Sequence, residues 1–119
     1  MIKVAEAIAY NKNDRHILIV ENNGAIANMQ DDAMVEVVCE LGANGPRPMS
    51  VGNIPQFNLG LLVNQVSCEK LIVDAYFENS YQKALEAFTL NRLINDAKKA
   101  RKVLDALIEA NRGMWPELR

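Results

Sequence analysis

Near Pro55 the spacing of apolar residues changes from that of strands to that of helices, and this change restricts the possible fold more than any other feature. Between residue 16 and Pro55 the apolar residues form short runs or alternate with polar ones, as in β-strands. After it they recur about every 3.6 residues, as in α-helices. Strands followed by helices are typical of α+β proteins. The sequence therefore predicts an α+β fold, with a small antiparallel sheet followed by a helical C-terminal half.

Three segments of the first half are predicted strands. Residues 16–20 are apolar on both faces, so we expect this strand to be covered from both sides. Residues 34–41 alternate, which predicts a half-buried strand. Residues 42–46 are rich in turn formers, and residues 48–51 can form only a short edge strand because proline cannot donate to a ladder. The buried face of the alternating strand would carry Val35, Val37, Cys39 and Leu41.

Four segments are predicted helices. Residues 2–9 have helical spacing but no capping residue before them, and we expect this element to continue upstream in a longer polypeptide. Residues 56–79 are apolar around too much of the circumference for a one-sided surface helix, so this helix would be central or interfacial. Ser80 is the predicted N-cap of the third helix. The fourth helix is predicted to run from about Asp96, and Gly113 lies where a helix-ending residue adopts positive φ.

Size and charge exclude several classes of protein. At 119 residues, the chain is predicted to be one domain, residues 1–119. A net charge of −2 argues against nucleic acid as a partner. No apolar run approaches the roughly 18 residues that cross a bilayer, and the N-terminus lacks signal-peptide features, so we expect no membrane partner and a cytoplasmic location.

The carboxylates and the histidine are weak candidates for chemistry. Asp31 and Asp32 are adjacent acids in a polar loop, where aspartate is ordinarily a turn residue. Glu36 and Glu40 would lie about 13 Å apart along a strand at roughly 3.3 Å per residue, too far to share a proton or a metal. His16 is the only histidine and has no companion ligand at metal-binding spacing. We interpret all five as structural or solvated, with substrate contact by His16 as the lesser alternative.

The cysteines, asparagines and glycines give no stronger signal. Cys39 and Cys68 lie in apolar segments, whereas a reactive thiol needs an exposed, electropositive setting, so both are interpreted as core residues. The sequence Asn22-Asn23-Gly24 could edge a polar pocket, but turn formation is the simpler interpretation. The spacing of the glycines does not match a phosphate-binding loop. Those considered for such a loop are Gly42, Gly45 and Gly52.

Several short segments, in order, resemble one known family. They are Asn-Asn-Gly at 22–24, Val-Glu-Val-x-Cys at 35–39, Asn-Gly-Pro at 44–46, Val-Gly-x-Ile-Pro-Gln-Phe at 51–57 and Trp-Pro-Glu-Leu at 115–118. Together they resemble the C-terminal portion of family 4 glycoside hydrolases, in particular the 6-phospho-α-glucosidase branch. The resemblance spans essentially the whole chain. Val38 departs from it, because members of the family commonly have proline before the cysteine.

The resemblance implies a fold, an activity and cofactors. The fold would be similar to the C-terminal domains of lactate and malate dehydrogenases. The parent enzyme would use NAD⁺ and a divalent metal, typically manganese, to oxidise a 6-phosphorylated glucoside at C3, remove the C2 proton and expel the glycosidic oxygen by elimination, a mechanism outside the usual two-carboxylate scheme. The residues that perform this chemistry belong to an upstream Rossmann domain. No catalytic, cofactor-binding or metal-binding residue carries over to this chain, and none of these groups is expected to bind here.

The sequence thus predicts the C-terminal domain of a 6-phospho-α-glucosidase. It would wall the active site, support homo-oligomerisation and be inactive alone. Two alternatives stay open: the corresponding domain of a 6-phospho-β-glucosidase, and a stand-alone structural or oligomerisation module without catalysis.

Overall fold

The computed structural model describes residues 2–119 and confirms the predicted α+β fold. In chain order the elements are α1 (Ile2–Ala9), β1 (Asp14–Glu21), β2 (Met34–Gly42), β3 (Gly45–Pro48), α2 (Gln56–Glu78), α3 (Tyr81–Leu90) and α4 (Ala97–Ala110). The residues group into two units that divide between Leu59 and Gly60, inside α2. The single domain at 1–119 stays a prediction.

The first unit is built on an antiparallel sheet with the strand order β1-β2-β3. Alternation in β2 places one row of side chains in the core, as predicted, and helix α1 packs against this strand with Ala7 fully buried. Buried residues of the loop between β1 and β2 add to the same core. The buried row of β2 consists of Val35, Val37, Cys39 and Leu41.

The prediction that the first strand is covered on both faces is wrong. β1 runs from Asp14 to Glu21, and both Ile17 and Ile19 are 68% exposed. The other face of the strand, which includes Leu18, is half-buried. An antiparallel sheet can leave one face open, whereas the continuous apolar run suggested the fully enclosed type of strand.

The third strand also differs from its predicted position. It occupies Gly45–Pro48 instead of residues 48–51, and the predicted turn over residues 42–46 contracts to the two residues that link Gly42 to Gly45. The N–H of Met49 donates to the carbonyl of Val38 at 2.9 Å, which continues the β2–β3 register. Residues of β3 that bond to β2 therefore alternate with Pro46 and Pro48. The nitrogens of both prolines point away from β2, so no hydrogen bond between β2 and β3 is lost.

The helices begin where the sequence predicts. The Ser80 hydroxyl accepts from the N–H of Lys83 at 3.3 Å, which confirms the predicted N-cap of α3. The last helix begins next to Asp96, as predicted, and the structure shows that the Asp96 carboxylate caps it by accepting from the N–H of Lys99 at 2.8 Å. Pro55 lies just before α2 instead of inside its first turn, and its carbonyl accepts from the N–H of Leu59.

The second unit has its own core, formed where α2, α3 and α4 meet. Leu104 of α4 is fully buried there, which for a leucine is worth about 2 kcal/mol. Gly113, beyond the end of α4, has the predicted positive φ, 84°. Leu118 of the C-terminal segment packs against this core. The buried members are Ala75, Ala84 and Leu104, flanked by Tyr81, Leu85, Phe88, Ile108 and Leu118.

Hydrogen bonds hold the C-terminal segment beside the α2–α3 junction. The N–H of Arg119 donates to the carbonyl of Asn79 at 2.8 Å, and the N–H of Tyr81 donates to the carbonyl of Arg119 at 3.0 Å. No helix among residues 2–119 combines the length and apolar character needed to cross a membrane.

Candidate functional site

The structure does not bring the candidate carboxylates together into a reactive group. Asp31 and Asp32 are both exposed, in the loop before β2. Glu36 is exposed on the open face of the sheet, while Glu40 forms an ion pair with Arg47 on the neighbouring strand. The interpretation of these residues as solvated or structural is therefore the one that fits the geometry.

His16 lies on the half-buried face of β1, directly opposite Cys39 of β2. Its Nε2 atom is enclosed and has no hydrogen-bond partner within residues 2–119. An enclosed ring nitrogen without a partner gives up its hydrogen bond to water, which costs about 1–3 kcal/mol. Among the described residues, no group of three or more potential metal ligands includes His16.

Both cysteines are buried and unpaired, as the sequence predicts. Burial raises the pKa of the Cys39 thiol, and burial is also the largest cause of the raised pKa of Cys68, where the carboxylate of Glu69 adds a smaller effect. A raised pKa reduces the thiolate fraction at neutral pH, and the thiolate is the reactive form. The burial and the raised pKa of both thiols fit their interpretation as core residues.

The Asn22-Asn23-Gly24 segment forms a tight turn, as predicted by the interpretation of these residues as turn formers. The N–H of Ala25 donates to the carbonyl of Asn22 at 2.7 Å, and both Asn23 and Gly24 have positive φ, 40° and 81°. Asn22 itself is fully buried and directs its side chain into the following loop. Its amide nitrogen reaches the carbonyls of Ile26, Met29 and Gln30.

The larger cavities lie in the second unit. One of about 610 Å³ is lined by the residues at the α2–α3 junction and the C-terminal segment, including Ser80, Glu117 and Arg119. The only hydroxyl nucleophile in this set is Ser80, and its oxygen is engaged as the cap of α3. A second, largely apolar cavity of about 520 Å³ lies between α2 and α3, lined by Leu71, Gln82, Leu85, Glu86, Thr89 and Leu90. Neither cavity assembles catalytic groups.

Helix α2 exposes large apolar side chains on more than one side. Phe77 is 77% exposed, and its ring meets that of Tyr76 edge-to-face with 5.4 Å between the ring centroids. Val73 and Phe57 are also exposed. Aromatic residues clustered on a surface are characteristic of protein–protein contacts. The exposed aromatic cluster on α2 is consistent with the predicted central or interfacial helix.

The described residues do not fit either cofactor implied by the resemblance. A divalent metal needs converging oxygen or nitrogen ligands, and residues 2–119 contain no such cluster. A dinucleotide needs a glycine-rich turn between a strand and a helix. Gly42 and Gly45 flank a hairpin between two antiparallel strands. Gly52 is the only glycine in the connection from β3 to α2, so residues 2–119 contain no glycine-rich turn between a strand and a helix.

The comparisons with known proteins define the class of the chain. Residues 1–94 match the family described as "Family 4 glycosyl hydrolase C-terminal domain". The chain therefore belongs to family 4 of the glycosyl hydrolases and corresponds to its C-terminal domain. Within that family it is similar to 6-phospho-α-glucosidases.

Three relatives carry this similarity. The maltose-6′-phosphate glucosidase of Bacillus subtilis (strain 168) is 53% identical over 118 residues, which are 99% of this chain and 26% of the relative. A crystal structure of a 6-phospho-α-glucosidase from gut microorganisms, in complex with NAD and Mn²⁺, is 82% identical and superposes with a TM-score of 0.98. The match covers 100% of this chain and 27% of that protein. A second such structure, in complex with NAD and glucose-6-phosphate, is 48% identical with a TM-score of 0.95, over 99% of this chain and 27% of the other.

Proposed function

We propose that this chain acts as the C-terminal domain of a 6-phospho-α-glucosidase that hydrolyses 6-phosphorylated disaccharides. The observation that carries the proposal is the 82% identity, over the full chain, to a 6-phospho-α-glucosidase solved with NAD and Mn²⁺. All three relatives described above are named for α-linked or maltose-type substrates, which supports the α branch over the β branch. The chain spans only about 27% of these relatives, so the activity belongs to a longer polypeptide.

In that polypeptide we assign this chain a supporting role. It would wall the active site and support oligomerisation, with the exposed apolar residues of α2 as one contact surface. NAD⁺ and Mn²⁺ would be held by an upstream Rossmann domain and would supply the oxidation–elimination chemistry that family 4 uses. The buried, raised-pKa thiols and the absence of a ligand cluster among residues 2–119 support the proposal that no catalytic, cofactor-binding or metal residue lies here. Two unpaired cysteines also support a cytoplasmic location.

A chimaera tests the proposal. The C-terminal quarter of the B. subtilis maltose-6′-phosphate glucosidase is replaced by this chain, and turnover of p-nitrophenyl α-glucoside 6-phosphate is measured with NAD⁺ and Mn²⁺. We expect turnover by the chimaera, no turnover by the upstream portion alone, and none by the 119-residue chain alone.

Two outcomes would contradict this assignment. Turnover by the isolated chain would show that it carries its own catalytic groups. A folded chimaera that is inactive on the α-glucoside would favour a structural module, whereas activity on the β-anomer alone would assign the chain to the β branch. The unmodified B. subtilis enzyme serves as the positive control.

A further inference from the structure

The outer edge of β1 presents a full row of unpaired backbone groups. The N–H of Asn22 donates to the carbonyl of Ala33 at 2.8 Å, which continues the β1–β2 register by one hydrogen-bonded pair. Because such pairs alternate along antiparallel strands, His16, Leu18 and Val20 bond to β2. The intervening residues turn their N–H and C=O groups to the edge of the sheet, where no other strand of residues 2–119 pairs with them. These are Arg15, Ile17, Ile19 and Glu21.

The opposite edge of the same sheet is blocked. β3 is four residues long, and its two outward-facing nitrogens belong to Pro46 and Pro48, which have no N–H to donate. Short length and proline are the devices by which proteins protect sheet edges from pairing with other chains. β1 is eight residues long and contains no proline, lysine or bulge. The sheet is therefore closed to a further strand at β3 and open to one at β1.

The open edge is complementary to itself. Two copies of β1 can align antiparallel about a two-fold axis at Leu18, and this is the register that pairs all four outward-facing positions. It places Arg15 opposite Glu21 of the second copy, at both ends of the ladder, and Ile17 opposite Ile19 of the second copy in its centre. These side chains are all exposed and lie on the same open face of the sheet. Opposite charges and β-branched residues are favourable cross-strand neighbours.

We propose that β1 pairs with β1 of a second copy of this chain, so that the two three-stranded sheets become one continuous sheet. The contact is isologous, because the same edge serves both copies, and it therefore closes on itself instead of forming a fibre. The inference goes beyond the proposed function: it uses a surface distinct from α2, and it requires no catalytic activity in either copy.

Charge exchange tests the register directly. We expect the 119-residue chain to be a dimer by size-exclusion chromatography with light scattering. Arg15→Glu or Glu21→Arg alone creates two like-charge pairs across the two-fold axis and should weaken the dimer by about tenfold or more in Kd. The double exchange Arg15→Glu/Glu21→Arg recreates opposite pairs and should restore it. Glu36→Arg is the matched control, because it reverses a charge on the same open face but on the central strand; it should leave the Kd unchanged.

Amide hydrogen exchange gives a readout at the level of single residues. In the dimer, the amides of Ile17 and Ile19 should be protected like that of Leu18, and dilution to the monomer should remove protection from the first two only. Ile17→Pro removes an edge donor without breaking a β1–β2 bond, so it should abolish the dimer while circular dichroism shows the fold retained.

Three results would overturn the proposal. The first is a chain that stays monomeric at millimolar concentration. The second is a dimer whose Kd is insensitive to the charge reversals, which would place the contact elsewhere, for example on α2. The third is protection of the Ile17 and Ile19 amides in a monomeric protein extended upstream, which would assign the edge to another segment of the same polypeptide. None of these results depends on glucosidase activity, so this proposal can fail while the proposed function stands.

Discussion

Asn22 and Ile26 are joined by two hydrogen bonds between the side chain of one and the backbone of the other. The Oδ1 atom of Asn22 accepts from the N–H of Ile26 at 2.7 Å, and its Nδ2 atom donates to the carbonyl of Ile26 at 3.0 Å. The same Nδ2 also approaches the carbonyls of Met29 and Gln30, each at 3.1 Å. One buried amide thus replaces the regular backbone pairing that the loop after β1 lacks.

Removing this amide should unfold the loop and cost much of the stability. Asn22→Ala leaves buried backbone groups unpaired and opens a cavity, and we expect a loss of about 3 kcal/mol in the free energy of unfolding. Asn22→Asp should be at least as harmful, since a carboxylate repels the three carbonyls that it would face. Urea titration followed by circular dichroism measures both variants.

The neighbouring Asn23 provides the control. It is exposed and adopts positive φ, so Asn23→Gly should change the stability by less than about 0.5 kcal/mol. Equal losses for the two asparagines would contradict the assigned role of Asn22.

Two glycines should respond to alanine in opposite directions. A Cβ atom at Gly42 would lie 2.5 Å from Oδ1 of Asn13 and 2.7 Å from Oδ1 of Asn11, and the latter oxygen is fixed because it accepts from the N–H of Ala43. Gly42→Ala should therefore lower the free energy of unfolding by about 1–2 kcal/mol. Gly60 lies within α2 with open space around its Cα, so Gly60→Ala should raise it by about 0.5–1 kcal/mol.

Thermal or urea unfolding of both variants checks this pair. Stabilisation by Gly42→Ala would mean that the asparagine side chains move aside at no cost. Destabilisation by Gly60→Ala would mean that this part of α2 is covered by another surface.

The Tyr81–Asp105 hydrogen bond should make the second unit sensitive to alkaline pH. The hydroxyl of Tyr81 donates to Oδ1 of Asp105 at 2.7 Å, and this bond is the main cause of the raised pKa of Tyr81, with desolvation second. A raised pKa in the folded state gives stability that is fully present below the ordinary tyrosine pKa of about 10. That stability is lost as the pH rises through the folded-state pKa.

The measurement is the free energy of unfolding between pH 8 and the onset of base-induced unfolding, for wild type and Tyr81→Phe. The variant should lose about 1 kcal/mol at neutral pH and show a shallower decline above about pH 10. Lys83, whose pKa is raised chiefly by its hydrogen bond to Glu78, contributes equally to both proteins and cancels in the comparison. Parallel pH profiles for the two proteins would contradict the prediction.

The two cysteines should be unreactive in the folded chain. Because both are buried and have raised pKa values, a disulfide reagent such as dithionitrobenzoate should modify neither within minutes at pH 7.5, and should modify both at once in denaturant. Asn44→Cys, at an exposed turn position, supplies the matched reactive thiol. Fast modification of Cys39 or Cys68 without denaturant would indicate local opening of the corresponding unit.

Much of the secondary structure and of the class could be predicted from the sequence, because those signals are local. Alternation in β2 fixes which side chains share a face, and the residues Ser80 and Asp96 carry cap chemistry in themselves. The ordered family segments identified the class without any tertiary information. The position of β3 differs from the prediction by a few residues. Whether a proline interrupts a ladder depends on which way its nitrogen points, and the register of the strands decides that direction.

The sequence by itself determined the α+β order of elements, the buried row of β2, the N-cap at Ser80 and the membership in family 4. Only the tertiary structure decided that Ile17 and Ile19 are exposed, that Asn22 is the buried centre of a loop, and that one sheet edge is blocked while the other is open. The physical reason is that periodicity sets the direction in which a side chain points. Burial and edge pairing depend instead on which residues pack against that side chain or that strand edge, and those residues are distant in the chain.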